Sequence, residues 1–278
     1  MLEILGYEFM RNALLAGLLA SVACGIIGAL VVVNRLVFVS GGIAHAAYGG
    51  VGLALFLGIA PLAGIMGFTI LAALIMASVS LHAKHRSDTV IGVLWALGMA
   101  IGVILIDLTP GYNVDLMSYL FGSILAVPTN DLWLMLAMDI VIVVLVAYFY
   151  QGLLAMSFDE EFARVRGVPV RGLYFMLMIM TAMSVVMIIR VVGLILVIAL
   201  LTIPPFISER FSKSLAGMMV VSVLLSLLFV MAGLFVSYRF DITSGASIIV
   251  TASVAFFATL LYNRFRPSKI LASNGESE

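Results

Sequence analysis

The chain has 278 residues, 64% of them hydrophobic and only 10% charged, and its mean hydropathy is +1.26. A soluble domain is nearer half apolar and one quarter charged, so this composition excludes one and specifies an integral membrane protein. Lys+Arg and Asp+Glu balance at 14 each, so net charge points to no acidic partner, and the placement of the charges carries the information instead.

Residues 1–12 lack a basic start, and no small-residue cleavage site ends a short apolar core, so the first span is expected to persist in the mature protein. Apolar runs then fall at 13–33, 36–58, 62–81, 90–106, 132–150, 173–189, 191–207, 215–236 and 246–262. A helix of about 20 such residues crosses a hydrocarbon core about 30 Å thick. The seventh run abuts the sixth at Arg190 and ends in Pro204-Pro205, which predicts a broken or half helix. The expectation is an all-α, polytopic membrane bundle of eight to nine transmembrane helices, nine preferred. It forms one domain over 1–278, with a cytoplasmic tail at 265–278. With the N-terminus outside, nine spans place 11 Lys and Arg in the inner segments against three outside (Arg11, Arg190 and Arg239). The positive-inside rule asks for this bias in short loops, and it puts the C-terminus inside.

The first run holds Cys24, the single cysteine, which excludes an intrachain disulfide and a cysteine metal cluster. It also carries a small residue at every fourth position (Ala13, Gly17, Ser21, Gly25, Ala29), and the second run repeats the pattern at Gly42, Ala46, Gly50, Ala54 and Gly58. Such a flat face allows close helix approach, within one subunit or between subunits. The second run has no charge, yet His45 sits near its middle. About ten residues from Arg35, at 1.5 Å each, place it near the bilayer midplane. An ionisable side chain at that depth is a functional candidate. Neutral imidazole suits Zn²⁺, Mn²⁺ or Fe²⁺ as a transient ligand, because a conduit must release what it binds. The alternative is a histidine hydrogen-bonded between helices.

Residues 108–130 are too interrupted for a clean span, yet 116–127 is apolar enough for a re-entrant or outer-surface helix. Asp139, deep in the fifth run, must face a cavity, pair with a cation or be protonated. It is a second candidate for the metal path, with a structural role as the alternative. Asp107, Asp115, Asp131 and Asp241 fall on the outer side, where they either form an acidic mouth that concentrates cations or are ordinary solvated carboxylates. His82 and His85 have metal-pair spacing but lie in a basic loop where solvation accounts for them, and the 17 methionines are scattered as apolar filler.

The segment 157–169 reads as a short inner helix. Ser157 with Glu160 forms a capping box, Asp159, Glu160 and Glu161 suit the positive end of the helix dipole, and Gly167 with Pro169 ends it. Phe158, Phe162 and Val165, at i, i+4 and i+7, give it one apolar face. That face either docks on another protein or folds back on the bundle. No Gly-x-x-x-x-Gly-Lys-Ser/Thr loop occurs, so the chain is not expected to be an ATPase of that type or an enzyme.

Five blocks in this order resemble the permease subunit of ABC importers for zinc, manganese or iron: FVSGGIAHAAYGG around His45, LMSYLFGSILAV, FDEEFARVRGVP, VVGLILVIALLTIPP and DITSGA. The resemblance spans about 9–264 and implies a fold similar to that of cobalamin-importer permeases. It also implies a homodimer in a bacterial or archaeal cytoplasmic membrane, with separate cytoplasmic ATPase subunits and an extracytoplasmic metal-binding protein. On it, His45 matches the pathway histidine, and Glu160, Ala163 and Gly167 match the ATPase-coupling helix. No permanent cofactor is implied, only a transported divalent ion. The sequence departs from the family where Gly41 replaces an aspartate and Ala44 a serine. Alternatives are a permease for a chelated metal or other small solute, or an ATP-independent secondary transporter, for which no inverted repeat is evident.

Overall fold

In lipid every backbone polar group must be satisfied within the chain, so each apolar run is driven into a helix. All nine are helices in the computed structural model, which describes residues 7–82, 87–110, 124 and 127–265. The expected re-entrant helix at 116–127 lies almost entirely outside the described residues, as do Asp115, His85 and nearly all of the tail at 265–278.

The elements are α1 (Glu8–Val33), α2 (Val37–Leu57), α3 (Pro61–His82), α4 (Ser87–Asp107) and α5 (Thr129–Tyr148), then short α6 (Tyr150–Phe158) and α7 (Glu160–Val165), and finally α8 (Val170–Val192), α9 (Leu194–Glu209), α10 (Leu215–Phe240) and α11 (Ser244–Phe265). Eight are long and apolar enough to cross a membrane. The sixteen-residue α9 reaches about 24 Å, a little less than a hydrocarbon core.

Side-chain bonds between helix ends fix the topology. Asn34, after α1, donates to Ser157 Oγ of α6 at 2.9 Å, and the Ala216 amide of α10 donates to Tyr150 Oη at 3.1 Å. At the opposite end, Asn12 donates to the Val127 carbonyl and Thr129 Oγ1, each at 3.2 Å. Because α8 leaves the end bearing α7 and α10 starts there again, α9 must bring the chain back. Among the described residues, nine helices therefore run between the two ends of the bundle, eight long and one short.

The seventh run forms the short helix expected of it, and the break in the chain lies before that helix rather than at Pro204-Pro205. Both prolines lie inside α9, and the chain breaks instead at Gly193, whose φ of 81° and ψ of 174° are essentially open to glycine alone.

The small-residue stripes pack within the subunit. A Cβ on Gly17 would lie 2.6 Å from Val230 Cγ1, and one on Gly25 would lie 2.5 Å from the Val223 amide, so α1 lies directly on α10. On α2, a Cβ on Gly50 would meet Ile65 Cα at 2.6 Å and one on Gly42 would meet Ile91 Cγ2 at 2.8 Å. The result is a core in which α1 and α2 are mostly buried.

Candidate functional site: a stacked histidine and an exposed short helix

His45 lies in the interior turn of α2, on the face turned between α4 and α9. Gly41, one turn before it, marks that face: a Cβ there would meet Ile198 Cδ1 of α9 at 3.5 Å and Trp95 Cζ3 of α4 at 4.0 Å. Those are ordinary contacts, unlike the clashes at Gly42 and Gly50, so Gly41 fronts a looser region than the rest of the helix. The His45 ring is stacked on the Trp95 indole, with centroids 4.2 Å apart and planes 14° from parallel. Its Nδ1 is buried and has no hydrogen-bond partner. The alternative of a histidine held by hydrogen bonds across helices is not what this geometry shows.

Asp139 is 4% exposed on α5, and neither carboxylate oxygen has a hydrogen-bond partner. Asp241 is exposed at the far end of α10, in the left-handed conformation with φ 53°. The three nominated residues are not gathered into one site: no group of three or more His, Cys, Asp or Glu that could hold a metal ion occurs among the described residues. Asp107 and Asp131 are likewise at the α4 and α5 ends, and His82 Nδ1 lies 2.7 Å from the Ser78 carbonyl of its own helix.

The inner helix differs in detail from its sequence pattern. It runs over only Glu160–Val165, and its N-cap is Asp159, which accepts from the Phe162 amide at 2.9 Å. Ser157 is not the cap. It belongs to α6, where its hydroxyl donates to the Leu153 carbonyl and accepts from Asn34. The helix ends in a Schellman motif: the Val168 amide donates to the Ala163 carbonyl and the Gly167 amide to that of Arg164, both at 3.0 Å. Gly167 has φ 79°, the left-handed conformation that such an end requires. Glu160 pairs with Arg164, and the Arg166 guanidinium lies 5.4 Å from the Phe162 ring centre.

Ala163 alone of this helix is buried. Phe158, Phe162 and Val165 are 80%, 58% and 87% exposed, and Glu161 is exposed beside them. The fold-back reading of this apolar face is therefore overturned. Beneath it, α6 is tied to α1 by Asn34–Ser157 and to α10 by Tyr150–Ala216, so the three apolar groups stand on a fixed base.

The sequence reading missed Trp95, whose only signal is an aromatic ring inside an apolar run distant from His45. It also missed the tethers Asn34 and Tyr150, which lie at run boundaries where polar residues are ordinary.

Residues 6–263 match the model of the ABC 3 transport family. The chain is 50% identical over 264 residues to the uncharacterized membrane protein slr2045 of Synechocystis sp., covering 95% of this chain and 94% of that one. It is 30% identical to the manganese transport system membrane protein MntC of Halalkalibacterium halodurans, over 94% of this chain and 89% of that one. The structure of PsaBC from Streptococcus pneumoniae in complex with Fab superposes with a TM-score of 0.84 at 30% identity, covering 93% of each chain.

Proposed function

The chain belongs to the ABC 3 transport family, and on that premise we propose that it is the permease of an ATP-driven importer for a divalent transition-metal ion, Zn²⁺, Mn²⁺ or Fe²⁺. The name of the Halalkalibacterium relative favours a metal cargo. The observation that carries the ATP-driven reading is the exposed apolar face of Phe158, Phe162 and Val165 on its tethered base. Exposed aromatic side chains on a fixed element at one end of a membrane bundle are anchors for a groove on another protein. Here that face docks a cytoplasmic ATPase subunit, with Glu161 and the Glu160–Arg164 pair at its polar rim, and Ala163 and Gly167 set its attachment and end.

Two chains enclose the path about a twofold axis, so each His45 has a symmetry mate and the path holds two imidazoles. An extracytoplasmic metal-binding protein delivers the ion at the opposite end, where Asp241 and the other outer carboxylates concentrate cations. His45 offers a transient ligand, with water or backbone carbonyls completing the shell. Its Nδ1 lacks the hydrogen-bond acceptor that ordinarily strengthens a metal-bound histidine. A weakened ligand suits passage better than storage.

The test is uptake of radioactive Mn²⁺ and Zn²⁺, each with the other metals and Fe²⁺ as competitors, in cells lacking their own importers. Uptake should require the ATPase subunit and should fall strongly in His45→Ala without loss of dimer. Phe162→Ala or Glu161→Arg should uncouple ATP hydrolysis while the bundle stays folded, since a lost aromatic anchor costs about 2 kcal/mol or more. Normal uptake by a well-folded His45→Ala protein removes the path assignment. Normal assembly and transport by both inner-helix variants removes the docking assignment.

A further inference from the structure

The metal path proposed above leaves one question that the geometry answers: what orients the His45 ring. In metal sites the second ring nitrogen almost always donates to a carboxylate, carbonyl or water, and that bond sets the ring plane. Here Nδ1 is buried with no such partner. The contact in its place is the indole of Trp95, stacked at 4.2 Å and 14°. Trp95 is itself seated against α2, with the Phe38 ring tilted against it at a centroid distance of 6.1 Å. Phe38, Gly41 and His45 lie on one stripe of α2, at i, i+3 and i+7. Between the two rings, Trp95 Cζ3 lies 4.0 Å from the point a Gly41 Cβ would occupy. The indole therefore bridges α2 from Phe38 to His45 across the gap that Gly41 leaves.

We propose that Trp95 is the positioning residue of the His45 station, and that a side chain larger than alanine at Gly41 would displace the indole that lies one turn before the histidine. Stacking fixes the plane of the imidazole without raising the basicity of its free nitrogen, so the ring is held in place yet remains a weak ligand. The inference rests on the path assignment of His45 and adds Trp95 and Gly41 to it.

The experiment is a double-substitution cycle in the assembled complex, reading initial uptake of Mn²⁺ and of Zn²⁺ at matched membrane abundance. Trp95→Leu should lower uptake by about 10-fold or more, the effect typical of losing a group that orients a metal ligand. Trp95→Phe, which keeps a ring to stack on, should restore most of it. Trp95→Leu combined with His45→Ala should be no worse than His45→Ala alone, because both remove one function. If Trp95→Leu fails to assemble, Gly41→Leu serves instead: it displaces the indole, and it should show the same loss and the same absence of additivity.

Multiplying losses in the double variant would make Trp95 merely structural and overturn the proposal while leaving the His45 station standing. So would full uptake by Trp95→Leu or Gly41→Leu. Full uptake by His45→Ala would overturn the station, and the positioning role with it.

Discussion

Gly28 of α1 faces the carbonyl of Leu201 of α9 so closely that a Cβ on Gly28 would lie 2.7 Å from that oxygen and 2.8 Å from Pro205 Cγ. The carbonyl is available because Pro205 has no amide to donate to it four residues on. A proline that would ordinarily interrupt a membrane helix is thus accommodated by a neighbour with no side chain.

This contact predicts that Gly28→Ala is destabilising, by about 1–3 kcal/mol, as for other overpacked positions. Gly41→Ala, where the new methyl meets nothing closer than 3.5 Å, should leave stability nearly unchanged. Thermal unfolding of the detergent-solubilised protein compares the two. Equal shifts would show that the stripe's glycines are interchangeable and the close approach unimportant.

The same contact explains what the sequence could and could not disclose. Nine runs became nine helices because an apolar run in lipid has few other ways to satisfy its backbone. The four-residue stripes were legible for a similar reason, since glycine repeats have little other use in a membrane helix. Pro204-Pro205 marked the short helix, but their accommodation inside it beside Gly28, remote in sequence, was not legible, and the break at Gly193 depends on a backbone conformation that no single glycine advertises. His45 could be found as the one histidine in an uncharged run, whereas its stack on Trp95 is a tertiary relation between two separate helices. The inner helix was recognisable by its apolar spacing, but two residues, Ser157 and Asp159, could each cap it. The tie between Ser157 and Asn34 decides for Asp159.

That decision gives a second prediction. Asp159→Ala removes the acceptor of the Phe162 amide and should cost the short helix about 1 kcal/mol. Hydrogen exchange over 160–165 should quicken while the bundle's melting temperature holds. Ser157→Ala should not change exchange in 160–165 through any loss of a cap. Faster exchange with Ser157→Ala and none with Asp159→Ala would restore the original capping box.

Asp139 supplies a third. Its two oxygens have no partner among the described residues, and a buried polar group left unsatisfied costs about 1–3 kcal/mol. Asp139→Leu, close in volume and apolar, should therefore raise the melting temperature of the solubilised protein and leave metal uptake unchanged. A well-folded Asp139→Leu protein that no longer transports would put the carboxylate on the path beside His45. A lowered melting temperature would show that it has a partner in the membrane-embedded complex.

The fourth prediction concerns which end faces the cytoplasm. The bias of Lys and Arg toward the segments around α7 predicts that this end faces the cytoplasm, as the proposed docking of an ATPase requires. Cys24, the only cysteine, has no exposed surface, so the native protein should be silent to a membrane-impermeant maleimide. Glu161→Cys and Asp241→Cys each add one exposed thiol at opposite ends of the bundle. In intact spheroplasts the Asp241 variant should be labelled at once, and the Glu161 variant only after permeabilisation. The reverse pattern would turn the bundle over, put Phe158, Phe162 and Val165 outside the cell, and leave them no ATPase to meet. Labelling of the unsubstituted protein without denaturation would instead show that α1 opens to water at Cys24, which the packing of α1 described above forbids.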